Sequence, residues 1–130
     1  MYRAISHEIE VSVEPEFMAD RSFPDENYFF WAYTITIVNR GPATVQLKTR
    51  HWIITDALGR VQEVRGDGVV GEQPQLAPGE SFEYTSGVPL ATPSGFMTGT
   101  YGMVGANGHA FDIDIPTFSL DRPGAKHSLN

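Results

Sequence analysis

The chain has 130 residues, with 9 Lys or Arg against 16 Asp or Glu and no cysteine. That is the size of one domain, able to bury roughly two-thirds of its unfolded surface without staples. A net charge of −7 opposes general binding to nucleic-acid phosphates or anionic lipid, and the lack of Cys excludes disulfides, thiolate metal sites and a thiol nucleophile.

Val, Ile, Leu and Phe make up about a quarter of the chain, above the level of disordered segments. Residues 1–14 carry Arg3, His7, Glu8, Glu10 and Glu14, so they hold no apolar signal core, and no apolar run reaches spanning length. The expectation is a cytoplasmic protein with neither membrane nor nucleic acid as partner.

Val, Ile and Thr outnumber Leu heavily, which suits a pleated surface. Period-2 alternation predicts a strand over residues 7–14, with Ile9, Val11 and Val13 on one face and Pro15 as its stop. Over residues 28–39, Phe29, Trp31, Tyr33, Ile35 and Ile37 share a face, and the opposite face is also apolar near Phe30, so this strand reads as central. Strands follow over residues 45–55 and 60–65, joined by the turn Asp56-Ala57-Leu58-Gly59. A fifth strand places Phe82, Tyr84, Ser86 and Val88 on one face. A sixth covers residues 96–105. A seventh begins near His109 after Asn107-Gly108 and carries Phe111, Ile113 and Ile115 on one face; beyond Pro116 the apolar parity switches to Phe118 and Leu120, which requires a bulge or bend. No stretch holds a helical period free of Gly or Pro. The pattern predicts an all-β, seven-stranded antiparallel sandwich of immunoglobulin or fibronectin type III kind over residues 1–120, with a loose polar tail at residues 121–130.

Two features carry candidate chemistry. Gly66-Asp67-Gly68-Val69-Val70-Gly71 spells G-x-G-x-x-G, but Pro74 and Pro78 follow where a dinucleotide fold needs a long helix. The segment reads as a Gly-rich chain reversal with glycines at positive φ. A second reading is an anion site made of backbone N–H groups beside Arg65, with Gly66, Asp67, Gly68 and Gly71 as its members. The other feature is charge. Residues 40–65 carry a net charge of +3 against −10 for the remainder. In that basic hairpin Arg65 stands opposite Arg50 if the turn has an even register, or opposite His51 if Gly59 forms a bulge. Either places basic groups side by side, so a carboxylate or a bound anion is needed between them.

Other chemistry is sparse. His7, His51, His109 and His127 are scattered, and Asp112 and Asp114 offer a divalent cation two carboxylates, fewer than an oxygen site needs. Tyr84-Thr85-Ser86-Gly87 is not a nucleophile elbow. No catalytic residue, cofactor or metal site is expected.

Residues 64–74 (Val64-Arg65-Gly66-Asp67-Gly68-Val69-Val70-Gly71-Glu72-Gln73-Pro74), then 76–87, then Thr92-Pro93-Ser94-Gly95-Phe96-Met97-Thr98-Gly99-Thr100-Tyr101, resemble the ApaG family. Residues 33–39 and 111–120 resemble its second and closing strands. The resemblance implies a fibronectin type III-like sandwich. Related domains occur in F-box proteins and a DNA-polymerase-interacting protein, which implies protein binding. The bacterial family is associated with cobalt and magnesium homeostasis, and its gene often neighbours one for a diadenosine tetraphosphate hydrolase. Neither association supplies a catalytic residue.

The expectation is therefore a non-enzymatic module that binds another protein, through a surface that includes Lys48, Arg50, Trp52 and Arg65. The alternative is binding or hydrolysis of a nucleotide or pyrophosphate at the glycine loop. Weak binding of an anion there, or of a divalent cation at Asp112 and Asp114, would be secondary.

Overall fold

A computed structural model describes residues 1–124. Nine strands are present among them: β1 Tyr2–Ser6, β2 Ile9–Phe17, β3 Phe29–Asn39, β4 Val45–Asp56, β5 Val61–Asp67, β6 Gln75–Leu76, β7 Ser81–Leu90, β8 Ser94–Gly105 and β9 Ala110–Asp121. Two single-turn 3-10 segments, Ala19–Arg21 and Pro24–Glu26, are the only helical turns among the described residues. The strands form two antiparallel sheets, ordered β1-β2-β3-β7 and β5-β4-β8-β9, with β6 also on β4.

The alternating residues of β3 are buried as their pattern requires, and Trp31, Ile35 and Ile37 are fully enclosed. They face Trp52, Met97, Tyr101, Ile113 and Phe118 of the other sheet in one core. Both β2 and β1 pack over β9. At the opposite side of the sandwich the two sheets end in β7 and β5, each paired on one side only.

The strand count is nine rather than seven. β1 and β6 were not expected. β1 is short and half-exposed, and its turn into β2 falls on His7 and Glu8, both at positive φ (49° and 64°). Such two-residue turns usually carry Asn or Gly, so the sequence gives no turn signal there. β6 has two residues and carries no period at all. β2 also runs through Pro15 to Phe17. β1 pairs only as far as Val13, so the outer edge of β2 is open at Pro15 and no ladder bond is lost there.

Two bulges set the faces. The register shift between Met97 and Gly99 places an extra residue in β9 at Pro116 and Thr117, where the parity switch required one. The other shift lies in β4: Leu47 pairs with Met103 and Thr49 with Gly102, so Lys48 is the extra residue. Val45 and Leu47 point inward before it, and Trp52 and Ile54 after it.

At the far end of β4, Asp56 builds the turn. Its Oδ1 accepts from the amides of Leu58 (2.9 Å) and Arg60 (3.0 Å), and its Oδ2 accepts from Arg60 Nε at 2.7 Å. Gly59 takes φ +82°, and the bulged register pairs His51 with Arg65. β9 extends through Asp121, one residue into the segment read as a tail; residues 125–130 of that tail lie outside the described residues.

Candidate functional site

The bulge at Lys48 coincides with a gap in the edge of β4. β5 pairs along Thr49–Thr55 and β6 along Val45–Gln46, so the chain leaves the sheet after Asp67 and returns at Pro74. The Lys48 carbonyl holds both sides of this excursion. It accepts from the Gly68 amide at 2.8 Å and from Gln73 Nε2 at 2.9 Å, and the Leu47 amide donates to Pro74 O at 3.0 Å.

Within the excursion the amides of Val69 and Glu72 donate to each other's carbonyls, closing a tight hairpin with Val70 and Gly71 at its tip. Both tip residues have positive φ, 44° and 81°. That is unremarkable for Gly71 and an outlier for a β-branched side chain. Gly68 is also left-handed (φ +64°), and a Cβ there would stand 2.3 Å from Glu72 O. Gly66 differs: it lies within β5, and what it makes room for is Arg50, whose guanidinium atoms would be 2.8–2.9 Å from a Cβ.

Because the bulge inverts β4, Arg50 stands on the inner parity with Trp52 and Ile54. Its Nη1 donates to the carbonyls of Asp67 (3.0 Å) and Gly68 (2.9 Å), so the side chain ties down the start of the excursion. Around it lies a cleft of about 510 Å³ between the open edges of the two sheets. Trp52, Val64, Val69, Val88 and Met97 provide apolar wall, and Tyr33, Tyr84, Ser86 and Asp67 provide polar groups.

Three tyrosines bring their polar tips to this region. The hydroxyls of Tyr84 and Tyr101 are 2.5 Å apart and share one hydrogen bond. Burial pushes all three phenols, Tyr33 included, above their ordinary pKa. For Tyr33 a hydrogen bond with Ser86 opposes that rise, and for Tyr84 the bond to Tyr101 does; the Arg50 charge opposes it for all three.

The residues proposed from sequence do not converge on one place. Arg50, Asp67 and Gly71 line the cleft, with Gly66 and Gly68 shaping it. Trp52 belongs to the core rather than to an exposed partner surface: it is 3% exposed and packs edge-on against Tyr33, Tyr101 and Phe118. Arg65 stays exposed on the outer face beside His51. The carboxylate expected between these bases is Glu63, which accepts from His51 Nε2 at 2.8 Å and Arg65 Nη2 at 3.4 Å. The His51 bond, with the Arg65 charge, holds the Glu63 carboxyl below its ordinary value. Lys48 is the bulge residue itself. Asp112 and Asp114 are exposed on β9, and among the described residues no group of three His, Asp or Glu converges as metal ligands would.

Sequence reading missed the tyrosine cluster. Its signal was present: Tyr33, Tyr84 and Ser86 fall on the apolar parity of their strands, where a polar tip needs a partner.

The chain matches the family described as the ApaG domain over residues 19–105. The chain belongs to the ApaG family. It is 65% identical to Protein ApaG of Afipia carboxidovorans and 66% identical to that of Bradyrhizobium diazoefficiens, each comparison covering both chains in full. Among solved structures it resembles the ApaA protein of Bordetella pertussis, with 51% identity and a TM-score of 0.88 over 93% of this chain and 98% of that one. The C-terminal domain of Wzt shares the fold alone, at 12% identity and a TM-score of 0.50, over 98% of this chain and 87% of that one. The ApaG-domain match spans β3 through β8 and so takes in the Lys48 bulge, the glycine excursion and all three tyrosines.

Two predictions follow from this geometry. Gly68→Ala should lower stability by about 2 kcal/mol or more, because left-handed strain and contact with the Glu72 carbonyl act together, whereas Gly71→Ala, with open space around it, should cost about 1 kcal/mol. Urea denaturation of the two variants checks the order.

The second concerns alkaline pH. A phenol whose folded pKa is raised contributes stability that is complete below the unfolded value, about 10, and is lost as pH rises beyond it. Tyr84→Phe should cost about 1 kcal/mol at neutral pH through the lost hydroxyl bond. Its deficit against the parent chain should shrink as pH rises above about 10, since one phenol no longer resists ionisation. Urea midpoints measured across that range read the convergence.

Proposed function

We propose that this ApaG-family protein is a non-enzymatic binding module whose partner is another protein, held along the cleft between β5 and β7. The reading is supported chiefly by Val70. It is 55% exposed at the lip of the cleft in a backbone conformation that costs a β-branched residue about 1 kcal/mol or more. Asn or Gly would sit there without strain, so the exposed apolar side chain is kept at a stability cost, as contact surfaces often require. The two flanking strands add to this, since each is paired on one side and leaves backbone donors and acceptors along its outer edge. In this reading any role in cobalt and magnesium homeostasis is exerted through the bound protein.

The test uses the full chain as bait in lysate of its own organism, beside Val70→Asp and a control on the outer face of β9, Ser119→Asp. The expected result is a discrete set of captured proteins, lost about tenfold or more with Val70→Asp and retained with Ser119→Asp, all three baits melting within a few degrees of one another. Equal capture by Val70→Asp, or no specific capture, would remove the reading. Turnover of diadenosine tetraphosphate with Mg²⁺ above the buffer rate would overturn its non-enzymatic half.

A further inference from the structure

Arg50 is unlike the other arginines of residues 40–65. Arg40 is paired with Glu10, Arg60 with Asp56 and Arg65 with Glu63. Arg50 has no carboxylate within salt-bridge distance among the described residues, although it is half-buried. Only Nη1 is occupied, by the Asp67 and Gly68 carbonyls. The Nε–H and the two N–H groups of Nη2 have no protein acceptor among the described residues. None of these three donors is sealed from solvent, so all three are open to the acceptors of a ligand. The guanidinium is also held in place: the bare Cα of Gly66 lies against it, and any side chain there would displace it.

Beside it the Tyr84 hydroxyl, bonded to that of Tyr101, also lines the cleft. The charge of the site limits what can fill it. One cation is present, the Asp67 carbonyl already takes one of its donors, and the amides of Gly68, Val69 and Glu72 are all engaged within the protein. That set suits a planar monoanion that can accept two parallel N–H bonds and disfavours a multiply charged phosphate. The cleft takes lining residues from Gln62 to Asp67 of β5 and from Tyr84 to Pro89 of β7. At about 3.3 Å per residue this is the length of an extended segment of five or six residues.

We propose that the cleft recognises an extended segment of the partner protein by a Glu or Asp side chain, which receives a paired hydrogen bond from the Arg50 guanidinium. The inference rests on the protein-binding reading above and adds the chemistry of the residue recognised. Arg50 is then both the tie that seats residues 67–68 and the specificity determinant of the cleft.

The experiment selects random linear peptides displayed on phage against the full chain, with Val70→Asp as counter-selection, and then synthesises one enriched peptide with Glu or Gln at its acidic position. Enriched sequences are expected to share one Glu or Asp among apolar residues. Glu→Gln in the peptide should weaken binding to the unaltered protein about tenfold or more. Arg50→Lys should weaken the Glu peptide more than the Gln peptide, because the planar fork is lost while a charge remains. Peptides enriched without a fixed acid, or a Glu→Gln change without effect, would overturn the carboxylate inference and leave the protein-binding reading standing. Inorganic phosphate displacing the Glu peptide below about 1 mM would overturn it in favour of a phosphate site. If no peptide is enriched on the unaltered chain over Val70→Asp, the extended-segment inference falls, and the lysate capture above decides the protein-binding reading separately.

Discussion

The carbonyl of Lys48 is the point on which the rest of the structure turns. The extra residue in β4 shifts the register to β8 at that place, and the Lys48 carbonyl, on the β5 edge, takes the Gly68 amide and the Gln73 side chain. One irregularity therefore does two things. It inverts the parity of β4, so that Arg50 and Trp52 point between the sheets, and it gives the edge of the sheet a place where the chain can leave and return. A bulge commonly re-aims a side chain beside a functional surface, and here the side chain re-aimed is an arginine.

The return side of the excursion has its own anchor. Asn39 is buried, and its side chain makes three hydrogen bonds: Nδ2 donates to Ala43 O at 2.8 Å and Leu76 O at 3.0 Å, and Oδ1 accepts from the Gly41 amide at 3.0 Å. Its carbonyl accepts from Gly79 at 2.7 Å. The turn after β3, the short β6 and the approach to β7 are thereby fixed to one residue whose polar groups are all satisfied, as burial demands. Residues 68–74 are held at Lys48 on one side and through β6 at Asn39 on the other. Only the hairpin tip at Val70 and Gly71 stands clear of these ties, and it stands at the lip of the cleft.

Much of this was legible in the sequence, for reasons that differ by element. The alternation in β3 is long and unbroken, and in β9 the parity switch beyond Pro116 announces its bulge because the residues between the inward positions are mostly polar. The Lys48 bulge leaves the same kind of mark, Val45 and Leu47 on one parity and Trp52 and Ile54 on the other. The mark is blurred because Ile53 is apolar on the wrong parity. Without the bulge, the inward parity of Val45 and Leu47 would put Arg50 and Trp52 on the outer face, which is why Trp52 could be read as a surface residue. The hairpin at His7 and Glu8 is invisible for a different reason: its positive φ values are carried by residues that seldom adopt them, with the His7 ring packed 4.9 Å from Phe111 as local compensation. For the candidate site, charge located Arg50 and glycine spacing located the excursion. The tyrosine cluster is a product of tertiary packing between β3, β7 and β8, and no local pattern joins its members.

The site depends on Arg50 lying inside the cleft over Gly66. Nuclear Overhauser spectroscopy on the unaltered chain reads this directly, because one α-proton of Gly66 points where a Cβ would meet the guanidinium. The predicted result is strong contact between the Arg50 guanidinium protons and that α-proton. Contacts from the guanidinium to Glu63 or Thr100 instead would place Arg50 on the outer face and contradict the inversion at Lys48 from which the site is built.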